Sequence, residues 1–435
     1  MVPPDGTKIF DSALKAFSHL SGTCQVLGMN TMSNGRLSTN LTFDSLAINA
    51  KQRRSLCVGA KLMVMLMFSG VLLPNNRALA QDETSVSKDL VDYYQTTTSA
   101  TTTDDFSKII DHCLDILNDK ERSSFDKTYA SQLISWAANK RGELYSDEAS
   151  TAVTNNQTRV AIDLDKKAGQ DFRLALSYDP ARLRARHNLA VTLAMEQKFE
   201  EAIRELDIVI RQKPDYANAL YNRAELFFHL ERYDVSFEDY TKALELNPGD
   251  AQILSGRAHA AFMKHDYEAA LADYSEAARM LPNDVDVITD YADALQYVQN
   301  WKDAANTYRR ALEINPNHTR ALENVAWMMA TCPETKFRNA ASAIKAIRRA
   351  MERSGQESTK SWDTLAAAHA AYQNWPTAQS AIDKAIAMAS EEDRPDLLKR
   401  RALYAKKEMY IQPMTTASQV PELARTPIGT GGTSR

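Results

Sequence analysis

The sequence predicts an all-α chain built as a stack of antiparallel helix pairs, and three observations carry that prediction. Prolines recur at Pro180, Pro214, Pro248, Pro282 and Pro316, each 34 residues after the last. Small residues hold the same phase: Ala190, Ala224, Ala258 and Ala292; then Ala202, Ser236, Ala270 and Ala304; then Val209, Ala243, Ala277 and Ala311. A larger side chain keeps step with them as Leu206, Tyr240, Tyr274 and Tyr308. A fixed period of this kind marks a repeat array in which each unit buries its face against its neighbours.

Each element of the period has a physical reason. Small side chains recur where two helices approach closely, because larger ones would hold the backbones apart. The Leu or Tyr fills the gap beside them. Proline ends the second helix, having no N–H and clashing with the preceding turn. An Asp or Asn follows (Asp215, Asp250, Asn283-Asp284, Asn317) and offers an oxygen to cap the next helix. One repeat is therefore two helices; in the second copy they run from about Asn218 to His229 and from Tyr233 to Leu246.

Counted from Leu183, this pattern resembles the tetratricopeptide repeat (TPR) family, with small residues at positions 8, 20 and 27 and proline at 32. Position 17, aromatic in the family, reads Phe199, Tyr233, Tyr267 and Trp301. Position 4, often Trp, reads Arg186, Leu220, Leu254 and Ile288, and Arg186 is a departure. The resemblance implies a right-handed superhelical solenoid whose first helices line a concave groove.

Taken in order, residues 1–50 are rich in Ser, Thr and Asn and read as a disordered or mis-assigned extension, with Met29 or Met32 as alternative starts. Residues 51–80 join a basic flank to an apolar run, Leu62 to Leu73, and a small-x-small site, Ala78-Leu79-Ala80. That is the pattern of a signal peptide cut after Ala80, placing the mature chain in the periplasm or envelope; an uncleaved membrane anchor is the alternative. Residues 81–103, with two Thr triplets, read as a polar linker, and 104–182 as degenerate helical repeats. Ala168, Phe172 and Ala175 fall at positions 20, 24 and 27 counted back from Pro180.

The array is expected over 183–390, as 183–216, 217–250, 251–284, 285–318, 319–358 and 359–390. The fifth copy carries five extra residues around Thr331 to Arg338, which lengthen its inner turn. The sixth regains phase with Trp362, Ala366, Trp375, Ala378 and Ala385. A capping helix is expected over 391–412, opened by Pro395, covering the last repeat with Leu397, Leu398 and Leu403 and solvated by Lys399, Arg400, Arg401, Lys406 and Lys407. Residues 413–435 read as a disordered tail.

The formal charge of −4 and pI near 6.1 show no basic excess, which argues against nucleic-acid binding. Cys113 and Cys332 lie beyond the expected cut and read as lone small apolar residues. No Walker loop, nucleophile elbow, dinucleotide glycine pattern or zinc Cys pair is present, so no cofactor and no catalysis is expected. His187, His229 and His259 fall on first helices without ligand spacing, and no metal is expected there.

The groove is the candidate site. In the family, positions 2, 5, 6, 9, 12 and 13 face it. Position 6 reads Asn188, Asn222, Gly256, Asp290 and Asn324, a broken asparagine ladder able to pair with a peptide backbone; the alternative is a solvated filler. The basic clamp some members use for a terminal carboxylate is missing: positions 5 and 9 include Glu225, His259, Asp293 and Trp327. Tyr221, Phe228, Phe262, Tyr297 and Trp327 offer apolar contacts. Asp286, Asp290 and Asp293 form an acidic patch suited to a basic or polar segment. The expected function is a scaffold holding a protein or peptide partner. The alternatives are a homo-oligomer that uses the groove or capping helix as its dimer surface, and an enzyme with an unrecognised site.

Overall fold

The computed structural model describes residues 87–413, so the expected extension, the expected signal peptide and the expected tail after 413 lie outside the described residues. Within them the chain forms seventeen α-helices and one short 3-10 turn, with no strand. The helices divide into two compact units between Leu230 and Glu231.

The first unit holds α1 (Lys88–Thr97), α2 (Thr103–Asn118), α3 (Ser124–Thr154), α4 (Thr158–Tyr178), α5 (Leu183–Met195), α6 (Phe199–Gln212) and α7 (Ala217–His229). Helix α1 corrects the expectation of a linker. It forms because Leu90 is fully buried among Phe106, Ile109, Ile110 and Cys113. Polar contacts pin its start: Arg122 pairs with Asp89 at 2.6 Å, and the Ser87 N–H donates to Asp126 at 2.8 Å. The second Thr triplet serves as a helix start, with Thr102 and Asp105 making a reciprocal capping box. The degenerate repeats include one long hairpin, α3 of 31 residues against α4 of 21. Phe172 on α4 lies over Gly142 on α3, where a Cβ would fall 2.7 Å from its ring.

The second unit holds α8 (Tyr233–Leu246), α9 (Ala251–Met263), α10 (Tyr267–Met280), α11 (Val285–Tyr297), α12 (Trp301–Ile314), α13 (Thr319–Thr331), α14 (Ala340–Ser354), α15 (Thr359–Ala371), α16 (Trp375–Met388) and α17 (Arg394–Ala405). The helices of the second repeat lie within one residue of their expected ends. The small residues at the three recurring positions are 0–1 % exposed, and Tyr240, Tyr274 and Tyr308 are buried beside them. Gly256 has a specific cause: a Cβ there would lie 2.6 Å from the buried Tyr240 ring.

The caps follow the sequence in part. Asp250 and Asp284 each accept two backbone N–H groups at the starts of α9 and α11. Asp215 and Asn317 do not cap; the N-cap residues are Tyr216, with no side-chain bond, and His318, which accepts from the Ala321 N–H. The turn inside each regular repeat puts one residue in the left-handed region: Gln197, Glu231, His265, Gln299 and Gln373, at φ 59 to 66°. No glycine relieves them. The next N–H in the turn then reaches back, as Asn374 does to the His369 carbonyl at 2.9 Å, closing the helix end. The insertion in the fifth repeat is a 3-10 turn, Thr335–Phe337, fastened by the Asn339 N–H on the Met329 carbonyl at 2.9 Å.

The capping helix is corrected in detail. It ends at Ala405 rather than 412. Leu397 is buried and Tyr404 is fully buried, but Leu398 is 48 % exposed. Arg400 turns inward onto Asp363 at 2.9 Å instead of facing solvent. Leu403 packs against the core as expected, and the Tyr404 ring takes the contact expected of Leu398.

Four expectations follow. Tyr274→Ala should cost about 3–5 kcal/mol in urea unfolding by opening a cavity, and Gly256→Ala about 1–3 kcal/mol by driving Tyr240 out of place. Gln373→Gly should raise the urea midpoint, because relief of about 1–2 kcal/mol of left-handed strain exceeds the roughly 0.5–1 kcal/mol of added chain entropy. His369, with both ring nitrogens buried and unpartnered, has its pKa lowered by burial and by Arg348. A neutral buried imidazole binds fewer protons than the unfolded one, so its contribution to stability falls as pH drops below about 6.5. Melting between pH 7 and pH 5 should therefore fall less in His369→Leu than in the unaltered chain.

Candidate partner-binding site

Adjacent first helices lie close enough for side chains at positions 2 and 6 to reach back to the helix before. In the first unit, the Asn188 amide donates to Asn139 Oδ1 at 3.2 Å and Glu143 Oε1 at 3.3 Å. Glu143 also takes Arg184 at 2.6 Å, and its pKa is held below the usual value because Arg184 and Lys140 outweigh its burial. Asn222 lies 2.7 Å from His187 Nε2 and is fully buried, with its Oδ1 left without a donor. Tyr221 and Glu225 are buried too, while Phe228 stays partly exposed. His229 lies against Phe199, with ring centroids 4.4 Å apart and the rings tilted at 59°.

The second unit repeats the arrangement with charges. Arg320, at position 2 of the fifth repeat, reaches Asp290 at 2.5 Å, Asp293 at 3.7 Å and Asp286 at 3.9 Å. Asp293 also accepts the Tyr308 hydroxyl at 2.5 Å and the Asn324 amide at 2.6 Å. Lys360, one repeat further, donates to Asn324 Oδ1 at 2.7 Å. His318 lies 3.0 Å from Asp286, and His259 3.6 Å from Asp290. Burial would lower the Arg320 pKa, but the three carboxylates outweigh it and hold it above its ordinary value. Burial raises that of Asp293, against the pull of Arg320 and Tyr308.

Two expectations are thereby corrected. Asn222, Asp290 and Asn324 do not form an open ladder that reads a peptide backbone; they are at most 7 % exposed and bond sideways between helices, as the partly buried Asn188 does. The acidic patch is not free to attract a basic segment, because Arg320 sits among its three carboxylates. The readable signal was an Arg at position 2 one repeat after acids at positions 2, 6 and 9. It needs the added knowledge that first helices lie side by side.

The aromatic residues divide. Phe262 is buried and packs edge-on against Tyr267 and Tyr297 at 5.3 and 4.9 Å. Tyr297 keeps part of its surface and accepts the Tyr267 hydroxyl at 3.2 Å. Trp327 is partly buried under Tyr410, with ring centroids 5.8 Å apart. A cavity of about 410 Å³ lies elsewhere, lined by Arg348, Trp362, Leu365 and Lys384 among others. Among the described residues, no three His, Cys, Asp or Glu side chains gather where they could hold a metal ion, and no helix is long and apolar enough to cross a membrane. Cys113 and Cys332 are free and buried; burial pushes the Cys113 thiol up to about 12.

A family model for the tetratricopeptide repeat matches residues 187–251 and 232–285. No curated protein matches the chain in sequence. A solved tetratricopeptide repeat protein from Parabacteroides merdae is 18 % identical, over 59 % of this chain and 97 % of that one, with a TM-score of 0.45. PilW, described as a type IV pilus biogenesis factor, is 16 % identical over 50 % of this chain and 99 % of its own, with a TM-score of 0.44. YrrB, described as having an unusual peptide-binding site, is 17 % identical over 43 % and 95 %, with a TM-score of 0.37. The matched stretch, the 34-residue period and the paired helices that follow it identify tetratricopeptide repeats over residues 187–285 of this chain.

Proposed function

We propose that the chain is a non-catalytic scaffold that holds a protein or peptide partner against the first-helix side of its repeats. The observation that supports this reading is the division of labour on those helices. The polar side chains are engaged between helices, while Phe228 in one unit and His259 and Tyr297 in the other keep ring surface at hand. Rings of this kind carry much of the energy of protein contacts. A partner would be read through ring contacts and shape, rather than through an asparagine ladder. The proposed place of work, the cell envelope, rests on the signal-peptide pattern of residues 51–80 alone.

A photo-crosslinking amino acid at Phe228 or Tyr297 should capture a protein adduct in the source cells. The same group at Leu246 or Ile314, which are 40 % and 38 % exposed on second helices, should capture far less. Equal capture from both sets would remove the proposal. An adduct of twice the chain's own mass would replace it with self-association.

A further inference from the structure

After α17 the chain does not run off into solvent. Lys407 takes the left-handed conformation at φ 59°, and the Glu408 N–H bonds the Leu403 carbonyl at 2.9 Å, which turns the backbone back on itself. Met409 to Pro413 then cross the second unit without secondary structure. Tyr410 lies on Trp327 at position 9 of the fifth repeat. Arg400 stands over both rings, 5.7 Å from Trp327 and 5.3 Å from Tyr410. The Gln412 N–H donates to the Thr331 carbonyl at 2.8 Å, and Gln299 Nε2 donates to the Pro413 carbonyl at 3.1 Å. A stretch without helix or strand is thus held by one ring and two bonds to its own main chain.

The seat fits its occupant incompletely. Gln412 Oε1 is buried without a donor, which costs free energy that a released segment recovers in water. Arg338 reaches only the Met409 sulfur, at 3.9 Å, a weak acceptor for a guanidinium. No ion pair of Arg338 with a described carboxylate is present. A carboxylate in the place of that thioether would give Arg338 a charge-assisted bond of the stronger kind.

We propose that Trp327, Thr331, Gln299, Arg338 and Arg400 form a docking site for an extended partner segment, which Met409–Pro413 occupies in cis until a partner displaces it. The favoured segment is acidic at the Met409 position, aromatic at the next, and carries a free main-chain N–H two residues after the ring. This rests on the scaffold reading and gives that reading a partner chemistry.

The test uses the full chain and a full chain carrying Tyr410→Ala and Gln412→Pro, which removes the ring and the N–H that hold the tail. Two fluorescein-labelled peptides serve as probes, one with the sequence of residues 408–413 and one with Glu in place of Met409. The altered chain should bind the first peptide at least ten-fold more tightly than the unaltered chain does, and the Glu peptide about ten-fold more tightly again. Adding Arg338→Gln should erase the preference for Glu, and adding Trp327→Ala should abolish binding of both. Circular dichroism melting checks that each chain is folded. Equal binding by altered and unaltered chains would overturn the proposal, as would no binding by a folded altered chain. A dimer of the unaltered chain that the two substitutions dissociate would overturn it in favour of tail exchange between copies. Crosslinking from Phe228, in the other unit, is independent of the tail, so a failure here and a failure of the scaffold reading give different results.

Discussion

Two helices can lie only as near to one another as the side chains between their backbones allow. At the three small positions of each repeat that distance is set by a methyl group or little more, and those residues retain almost no exposure. The tyrosines at position 24 are held by the same closeness, since a wider gap would leave their rings without contacts. The polar interlock between first helices depends on it as well. Arg320 reaches three carboxylates of the preceding first helix only because that helix is its immediate neighbour. Substitutions that widen the small positions would therefore disturb charge pairing as well as packing.

The interlock also fixes what the first helices can offer a partner. Charged and amide groups that looked available are spent inside the protein. Removing one member would leave a buried charge or amide unpaired, a costlier loss than that of an exposed salt bridge. Phe228, His259 and Tyr297 keep ring surface outward, and in the second unit Trp327 lies against the chain's own Tyr410. The contact energies that hold a guest and those that hold the array thus come from different side chains, so one can change while the other is kept.

The periodic part of the fold was legible in the sequence because each signal recurs in phase and proline marks every exit. The helix ends at Ala217–His229 and Tyr233–Leu246 were found to within one residue on that basis. Helix α1 was not legible: its composition is that of a linker, and its order comes from Leu90, Asp89 and Ser87 meeting residues up to 39 positions away. The site was read least well. Position 6 was rightly placed on the first helix, but a polar residue there can face a guest or a neighbouring helix, and periodicity alone does not separate the two. Arg400 and Tyr404 show the same limit, because the rotation of a terminal helix about its axis is set by one or two packing contacts and not by a repeat.

Gly256 and Tyr240 illustrate how a stacked array remembers its own history. The ring occupies the volume that a side chain at 256 would need. Neither residue can therefore be exchanged freely while the other stands: an asparagine at 256 becomes tolerable only after the tyrosine has shrunk. The two sites are bound into a ratchet, in which the sequence of events decides which end states are reachable.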